Sequence, residues 1–519
     1  MRLRHVNTSM HRREFLRGVV GTTGLGTVAL GTGTGGGVET ATAHPGPYRP
    51  FGSVAVADAT EAVPDANGEY AYVAAMDGFA VVDVRIPSDP QVVFEARDLL
   101  ADRETGPLRG IQDVKVEGDR LVVAGPADPM RGDVLQGVLL YDVSDPADPE
   151  QVAFFETDYP IHNCFLRDGV VYLTARLSDR NALVVVDASG DDPTEIGRWS
   201  LADRDDRWLE VPTGLWTVHD VWVRDDRAYL SHWDAGLVVL DVSDPANPAF
   251  VSRFAGRSLD DLLAVPSDQS RAHVVALPGN VHYAMTDDAG ELLALNREAW
   301  QAGGEGGPGG VELWDLSDEA SPERLSTIDA PPSPDPTTSG VWTTSHNLDL
   351  VDGRLFTSWY QGGVKIHDVT DPSNPEEMAW WRKPGETAFW TAKRATPGVF
   401  VASSIGDYLG GVEGEAGLYT FPIEADEQKS PPTLTTTGDG TGNGDGTGGG
   451  GTNDGNGTAS GSSNGDGGAS TTAEQAALAG GTTTVESASG GSTGSTPGLG
   501  VASGLAALLG AGAWWSRRD

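Results

Sequence analysis

GLVVLDVSDPANP, which begins at Gly236, is one of six near-copies of a single phrase. The others are GFAVVDVRIPSDP from Gly78, GVLLYDVSDPADP from Gly137, ALVVVDASGDDP from Ala182, GVELWDLSDEASP from Gly310 and GVKIHDVTDPSNP from Gly363. A degenerate seventh, GLYTFPIE, begins at Gly417. Most copies open on glycine, run through residues rich in Val, Leu and Ile, and close on Asp before a Pro-containing break. A short β-branched run bounded by turn signals reads as a buried strand. The closing aspartates (Asp83, Asp142, Asp187, Asp241, Asp315 and Asp368) read as turn-fixers, because a short carboxylate accepts nearby backbone N–H groups. They are spaced by 59, 45, 54, 74 and 53 residues, as expected of constant strands with loops inserted between them.

Outward from Gly236 the unit completes itself. VHDVWV, RAYLSHW, GLVVLDV and AFVSRF, between Val218 and Phe254, are four strands joined by tight turns, which is one blade of a β-propeller. The last unit lacks a fourth strand, while an orphan strand, FGSVAVADA from Phe51, precedes the first full unit. The expectation is an all-β, seven-bladed β-propeller in which this N-terminal strand completes the last blade and closes the ring. Six blades is the alternative, should the GLYTFPIE unit not form a blade. Closure removes exposed sheet edges.

The recurring GLxVxDVSDPxxP resembles the LVIVD-repeat family over roughly residues 51–424. That resemblance implies a β-propeller of a bacterial or archaeal surface and assigns no activity. A second resemblance covers about one blade. VHDVWVRDDRAYLSHWDAGLVVLDVSDPANP is similar to the His-Asp blade segment of the selenium-binding protein and methanethiol oxidase family. It implies copper and small-thiol oxidation, with His219 and His232 as metal ligands.

The ends read as addressing segments. Arg12-Arg13-Glu14-Phe15-Leu16, followed by a weakly apolar stretch, looks like a twin-arginine export signal over residues 1–43, with Ala41-Thr42-Ala43 as the cleavage site and Met10 an alternative start. The propeller is assigned to residues 44–426. Residues 427–496, nearly all Gly, Thr, Ser, Asn and Asp and carrying a glycosylation sequon at Asn456, read as a disordered stalk. Residues 497–519 begin Pro497-Gly498-Leu499 and end in an apolar stretch and two arginines. They resemble the archaeal Pro-Gly-Phe sorting signal (PGF-CTERM), with Leu499 in place of Phe. The expectation is a surface protein held to the membrane by a C-terminal helix or by a lipid that replaces it.

The formal net charge is −40, from 75 acidic and 35 basic residues, and five of the basic residues are lysines. Such a surface suits multimolar salt, as in haloarchaeal proteins, and argues against nucleic acid as a partner. Cys164 is the single cysteine, so no intrachain disulfide is expected.

Four histidines fall in one repeated place, the start of a blade's first strand: His162, His219, His282 and His346. His219 precedes Asp241 by 22 residues and His346 precedes Asp368 by 22. Glu61, Gln112 and either Phe389 or Trp390 fill the place in the remaining units. First strands line a propeller's channel, so these side chains are expected to converge near one mouth. His232 is expected on the same face, and strand alternation is expected to point Cys164 the same way as His162. Convergent imidazoles suit copper, zinc or iron; descent of the repeats from one ancestral unit accounts equally for a polar lining that bonds neighbouring backbone. His273 and His367 break the pattern and read as structural. Trp216, Trp233, Trp342, Trp359, Tyr360 and Trp390 fall near blade tops, where they either floor a pocket or pack between blades. No nucleophile motif, phosphate loop or dinucleotide fingerprint stands out, since the glycine runs follow no strand.

Three functions fit these features: a surface module that binds a protein, a glycan or a small molecule; alternatively a metal-dependent, copper-type extracytoplasmic oxidoreductase using the channel histidines; or a structural spacer of the envelope.

Overall fold

The computed structural model describes residues 48–178, 180–409 and 412–424. The expected export signal, stalk and C-terminal sorting segment lie outside the described residues. No helix among the described residues is long and apolar enough to cross a membrane.

Twenty-eight strands form seven four-stranded antiparallel sheets. An opening strand, β1 (Gly52–Ala55), stands before the first full blade. Blade 1 is β2 (Ala59–Pro64), β3 (Tyr70–Ala75), β4 (Gly78–Asp83) and β5 (Gln91–Arg97). Blade 2 is β6 (Asp113–Glu117), β7 (Arg120–Gly125), β8 (Gly137–Asp142) and β9 (Glu150–Glu156). Blade 3 is β10 (Ile161–Arg167), β11 (Val170–Ala175), β12 (Ala182–Asp187) and β13 (Thr194–Trp199). Blade 4 is β14 (Asp220–Arg224), β15 (Arg227–His232), β16 (Gly236–Asp241) and β17 (Ala249–Phe254). After two short helices, α1 (Leu259–Leu263) and α2 (Ser270–Val275), blade 5 is β18 (Val281–Thr286), β19 (Leu292–Arg297), β20 (Val311–Asp315) and β21 (Glu323–Ile328). Blade 6 is β22 (Asn347–Val351), β23 (Arg354–Ser358), β24 (Val364–Asp368) and β25 (Glu376–Trp381). Blade 7 takes β26 (Lys393–Thr396), β27 (Val399–Ser404) and β28 (Gly417–Pro422) from the end of the chain and its fourth strand, β1, from the beginning. Gly52 pairs with Thr420 and Ala55 with Gly417. The count is therefore seven: the GLYTFPIE unit is a true blade, and the six-blade alternative falls. First strands β2, β6, β10, β14, β18, β22 and β26 each touch the next, and β26 touches β2.

The unbroken apolar run of each third strand has a direct cause: both of its faces are buried. Leu237 and Val239 of β16 pack toward blade 5, and Val238 and Leu240 pack toward blade 3. One apolar cluster fills each of the seven gaps between neighbouring blades. Each fully buried Val, Leu or Phe in these gaps stabilises the fold by roughly 1.5–3 kcal/mol. The glycine that opens the phrase is a clearance residue. A Cβ at Gly236 would lie 2.3 Å from the Phe254 carbonyl oxygen, and one at Gly363 would lie 2.0 Å from that of Trp381, both at positive φ.

The closing aspartates do fix turns. Each of the six accepts the backbone N–H two residues on, at 2.8–3.0 Å. Those bonds, with others from the same neighbour's side chain, hold all six carboxyls below the usual carboxylate range.

Candidate functional site at the histidine ring

The four repeated histidines meet. Ring centroids lie 4.2 Å apart for His162 and His219, 4.1 Å for His219 and His282, and 4.5 Å for His282 and His346. Trp390 continues the series, 3.9 Å from His346. Together with Glu61, Gln112, Asn163, Asp220 and Asn347 these rings line a narrow axial space. Trp390 therefore fills the place in blade 7, while Phe389 packs in the gap between blades 6 and 7.

Three of the four rings lean on backbone. His219 Nδ1 meets the His282 carbonyl oxygen at 3.2 Å, and His346 Nδ1 meets that of Trp390 at 2.8 Å. An Nδ1–H that donates to a carbonyl leaves Nε2 as a bare acceptor. Burial, together with the neighbouring imidazoles and Arg176, pushes His162, His219 and His282 well below the ordinary histidine value, and burial brings His346 to about 3. The ring is neutral at physiological pH.

A second repeated place, unrecognised in the sequence, faces the ring. It lies one residue past the end of the second strand in blades 3, 4 and 5 and two past it in blade 6. Strand pairing sets Ala75, Gly125, Ala175, His232, Ser358 and Ser404 opposite, or next to the partner of, the residue that opens the repeat. The positions beyond these pairs include Arg176, Trp233, Glu298 and Tyr360. Arg176 Nη1 lies 2.5 Å from His162 Nδ1 and 2.8 Å from Asp128 Oδ1. Trp233 stacks on His219 at 5.8 Å, with the Arg176 guanidinium 5.0 Å above its ring. Glu298 Oε2 lies 3.4 Å from His282 Nε2, and the Tyr360 hydroxyl donates to Glu298 Oε1. Burial, offset in part by that hydrogen bond, pushes the Glu298 carboxyl up to about 7. The ring thus has a cationic side at blade 3 and an anionic side at blades 5 and 6.

Two expected members are elsewhere. His232 is the last residue of β15, and its Nδ1 meets the Trp216 carbonyl oxygen at 3.0 Å. Alternation turns its neighbour Trp233 to the mouth and His232 away from it; it neither lines the axial space nor touches the ring. Cys164 is buried among Val122, Val138, Val171 and Leu173 between blades 2 and 3. A register shift between Ile161 and Cys164 breaks the alternation that would have set it beside His162. Burial, with Asp113 nearby, holds its thiol well above the usual value.

Just inward along the same strands the polar groups satisfy one another. Lys115 hydrogen-bonds Asp113 and lies 3.7 Å from Glu61, Asn347 donates to Glu61 at 3.1 Å, and Asp113 accepts the Cys164 backbone N–H at 2.7 Å. Against the cost of burial, Asp113 and Glu61 keep the Lys115 ammonium charged. Of the blade-top aromatics, Trp216 and Trp359 belong to inter-blade cores. Trp342, Tyr360 and Trp390 instead form a separate cluster beside His346. His367 sits buried in β24 and His273 half-buried in α2, both away from the ring.

A family model described as "LVIVD repeat" matches residues 65–97 and 217–255, so LVIVD repeats stand in blades 1 and 4. No curated protein matches the chain. Among solved structures it is similar to the β-propeller domain of Cps50 (Swd1) from Myceliophteria thermophila, at 10% identity and a TM-score of 0.48, over 72% of this chain and 99% of that one.

Proposed function

We propose that this protein is a ligand-binding β-propeller, presented outside the cell on a tether, that takes its ligand at the histidine ring. One observation carries the reading. Four neutral imidazoles from four successive blades are packed ring to ring around the axis and line one axial space. Neutral imidazole nitrogens accept a donor or a Lewis acid, and a ligand of either kind suits this lining.

The address is part of the proposal. The Arg12-Arg13 motif, the Gly/Ser/Thr stretch after residue 430 and the Pro497-Gly498-Leu499 segment support twin-arginine export and membrane anchoring. The net charge of −40 supports a halophilic archaeal host. The oxidoreductase alternative has no arrangement of its own in its favour, since nothing described above assigns a reaction.

Native mass spectrometry of the full chain, purified at high salt from its own cells, tests the reading without presuming the ligand. A non-covalent adduct on the wild type, absent from a His219→Ala/His346→Ala variant that still folds, is the expected result. A bare polypeptide mass for both would overturn it.

A further inference from the structure

The geometry points to a divalent transition-metal site built from His282, Glu298 and His346 rather than from the four repeated histidines. The inference rests on the reading of the ring as the ligand site and names the ligand's chemistry.

One imidazole nitrogen of each histidine and one carboxylate oxygen all lie within 4.8 Å of one another. Around a metal with bonds of about 2.1 Å, tetrahedral donors sit about 3.4 Å apart. His282 Nε2 and Glu298 Oε2 are already at 3.4 Å. The His346 donor lies within 4.8 Å of the other two and would be drawn inward on binding. All three residues are buried, at 3%, 8% and 5% exposure.

Two further observations favour a cation there. Nε2 of His282 and a carboxylate oxygen are both acceptors when His282 holds its proton on Nδ1. Facing each other at 3.4 Å, they need a proton or a metal between them. The outer partners are also in place. Tyr360 holds the other carboxylate oxygen, and the Trp390 carbonyl holds His346 Nδ1, so two of the three ligands are fixed from behind. His282 Nδ1 is buried without a well-formed hydrogen bond, which leaves that ring able to turn.

Charge explains why the site lies on this side. Arg176 stands within 3.4 Å of both His162 ring nitrogens and occupies the approach a metal would need there. Asp128 neutralises Arg176, so Glu298 supplies the net negative charge at blades 5 and 6. Two imidazoles and one carboxylate suit zinc, cobalt or ferrous iron; magnesium and calcium call for an all-oxygen shell.

The test is a Co²⁺ titration of the chelator-treated full chain in high salt, followed by visible absorption and by elemental mass spectrometry. One Co²⁺ per chain is expected, with visible bands that Zn²⁺ abolishes. Glu298→Gln and His346→Gln should each weaken binding at least tenfold, while His367→Gln and His232→Gln bind as wild type. Circular dichroism and a thiol-inaccessible Cys164 certify that each variant is folded. No Co²⁺ uptake by the wild type, or uptake indifferent to Glu298→Gln, would overturn the site whatever the variants' stability. If Co²⁺ fails while native mass spectrometry shows an organic adduct lost from the His219/His346 variant, the metal falls and the binding reading stands; if both fail, both fall.

Discussion

His282 Nε2 and Glu298 Oε2 stand 3.4 Å apart across the mouth of the propeller, one on the first strand of blade 5 and the other just past its second. The pair joins a place that recurs visibly in the sequence to one that does not. It is also where the buried ring departs from seven-fold equivalence.

Ring closure depends on β1. A chain shortened to begin at Asp58 loses that strand and leaves β28 as an open edge in blade 7. Compared with a chain beginning at His44, it should melt lower and self-associate. Thermal denaturation and size-exclusion chromatography check both expectations.

Buried groups of opposite sign shape the pH dependence. Burial, with Lys365 beside it, lowers His367 to about 3. The unfolded chain takes up that proton first, so the contribution is full above about pH 6.5 and drains as pH falls toward 3, by at most about 1.4 kcal/mol per pH unit. Burial raises Asp234 to about 7, with Arg257 opposing. Its contribution is full below the ordinary carboxylate value and is lost as pH rises through about 7. Unfolding midpoints between pH 3 and 8 should therefore show a shallower acid limb in His367→Gln and a shallower limb above pH 4 in Asp234→Asn.

Cys164 should be unreactive toward a thiol reagent in the folded protein and react fully in denaturant. Cys164→Val should be nearly neutral, whereas Cys164→Ser, which buries a hydroxyl among aliphatic side chains, should cost about 1–3 kcal/mol. Denaturant titration measures the difference.

Stability should climb with salt. At a net charge of −40, self-repulsion is screened as ionic strength rises. Melting curves from tens of millimolar to multimolar KCl should move steadily upward, and a flat profile would contradict the charge argument.

The architecture was legible because its strongest signal has a single cause. The third strand is buried on both faces, so GLVVLDV is apolar throughout, and the glycine before it is a matter of clearance. The ring was legible because its histidines all open a blade's first strand, two of them 22 residues before the closing aspartate. Arg176 and Glu298 escaped notice, and Trp233 and Tyr360 stood out only as blade-top aromatics, because their shared place holds a different residue type in each blade. What they share is a backbone position, which only strand pairing reveals. His232 was misplaced by one residue of strand phase, and Cys164 by a bulge that no residue type announces.

The pairing of β1 with β28 joins positions 368 residues apart. At translation rates of about 5–20 residues per second, the opening strand is made some tens of seconds before its partner exists. It must wait without finding another edge. Its sequence, GSVA, is short, small and half exposed in alternation, which makes it a poor seed for pairing with a neighbouring chain. Blades 1 to 6 can form in order as the chain emerges, but the circle shuts once, after synthesis has passed Pro422. A nascent chain thus remains an open arc for almost the whole of its manufacture, and ring closure is a clock that marks the completed protein.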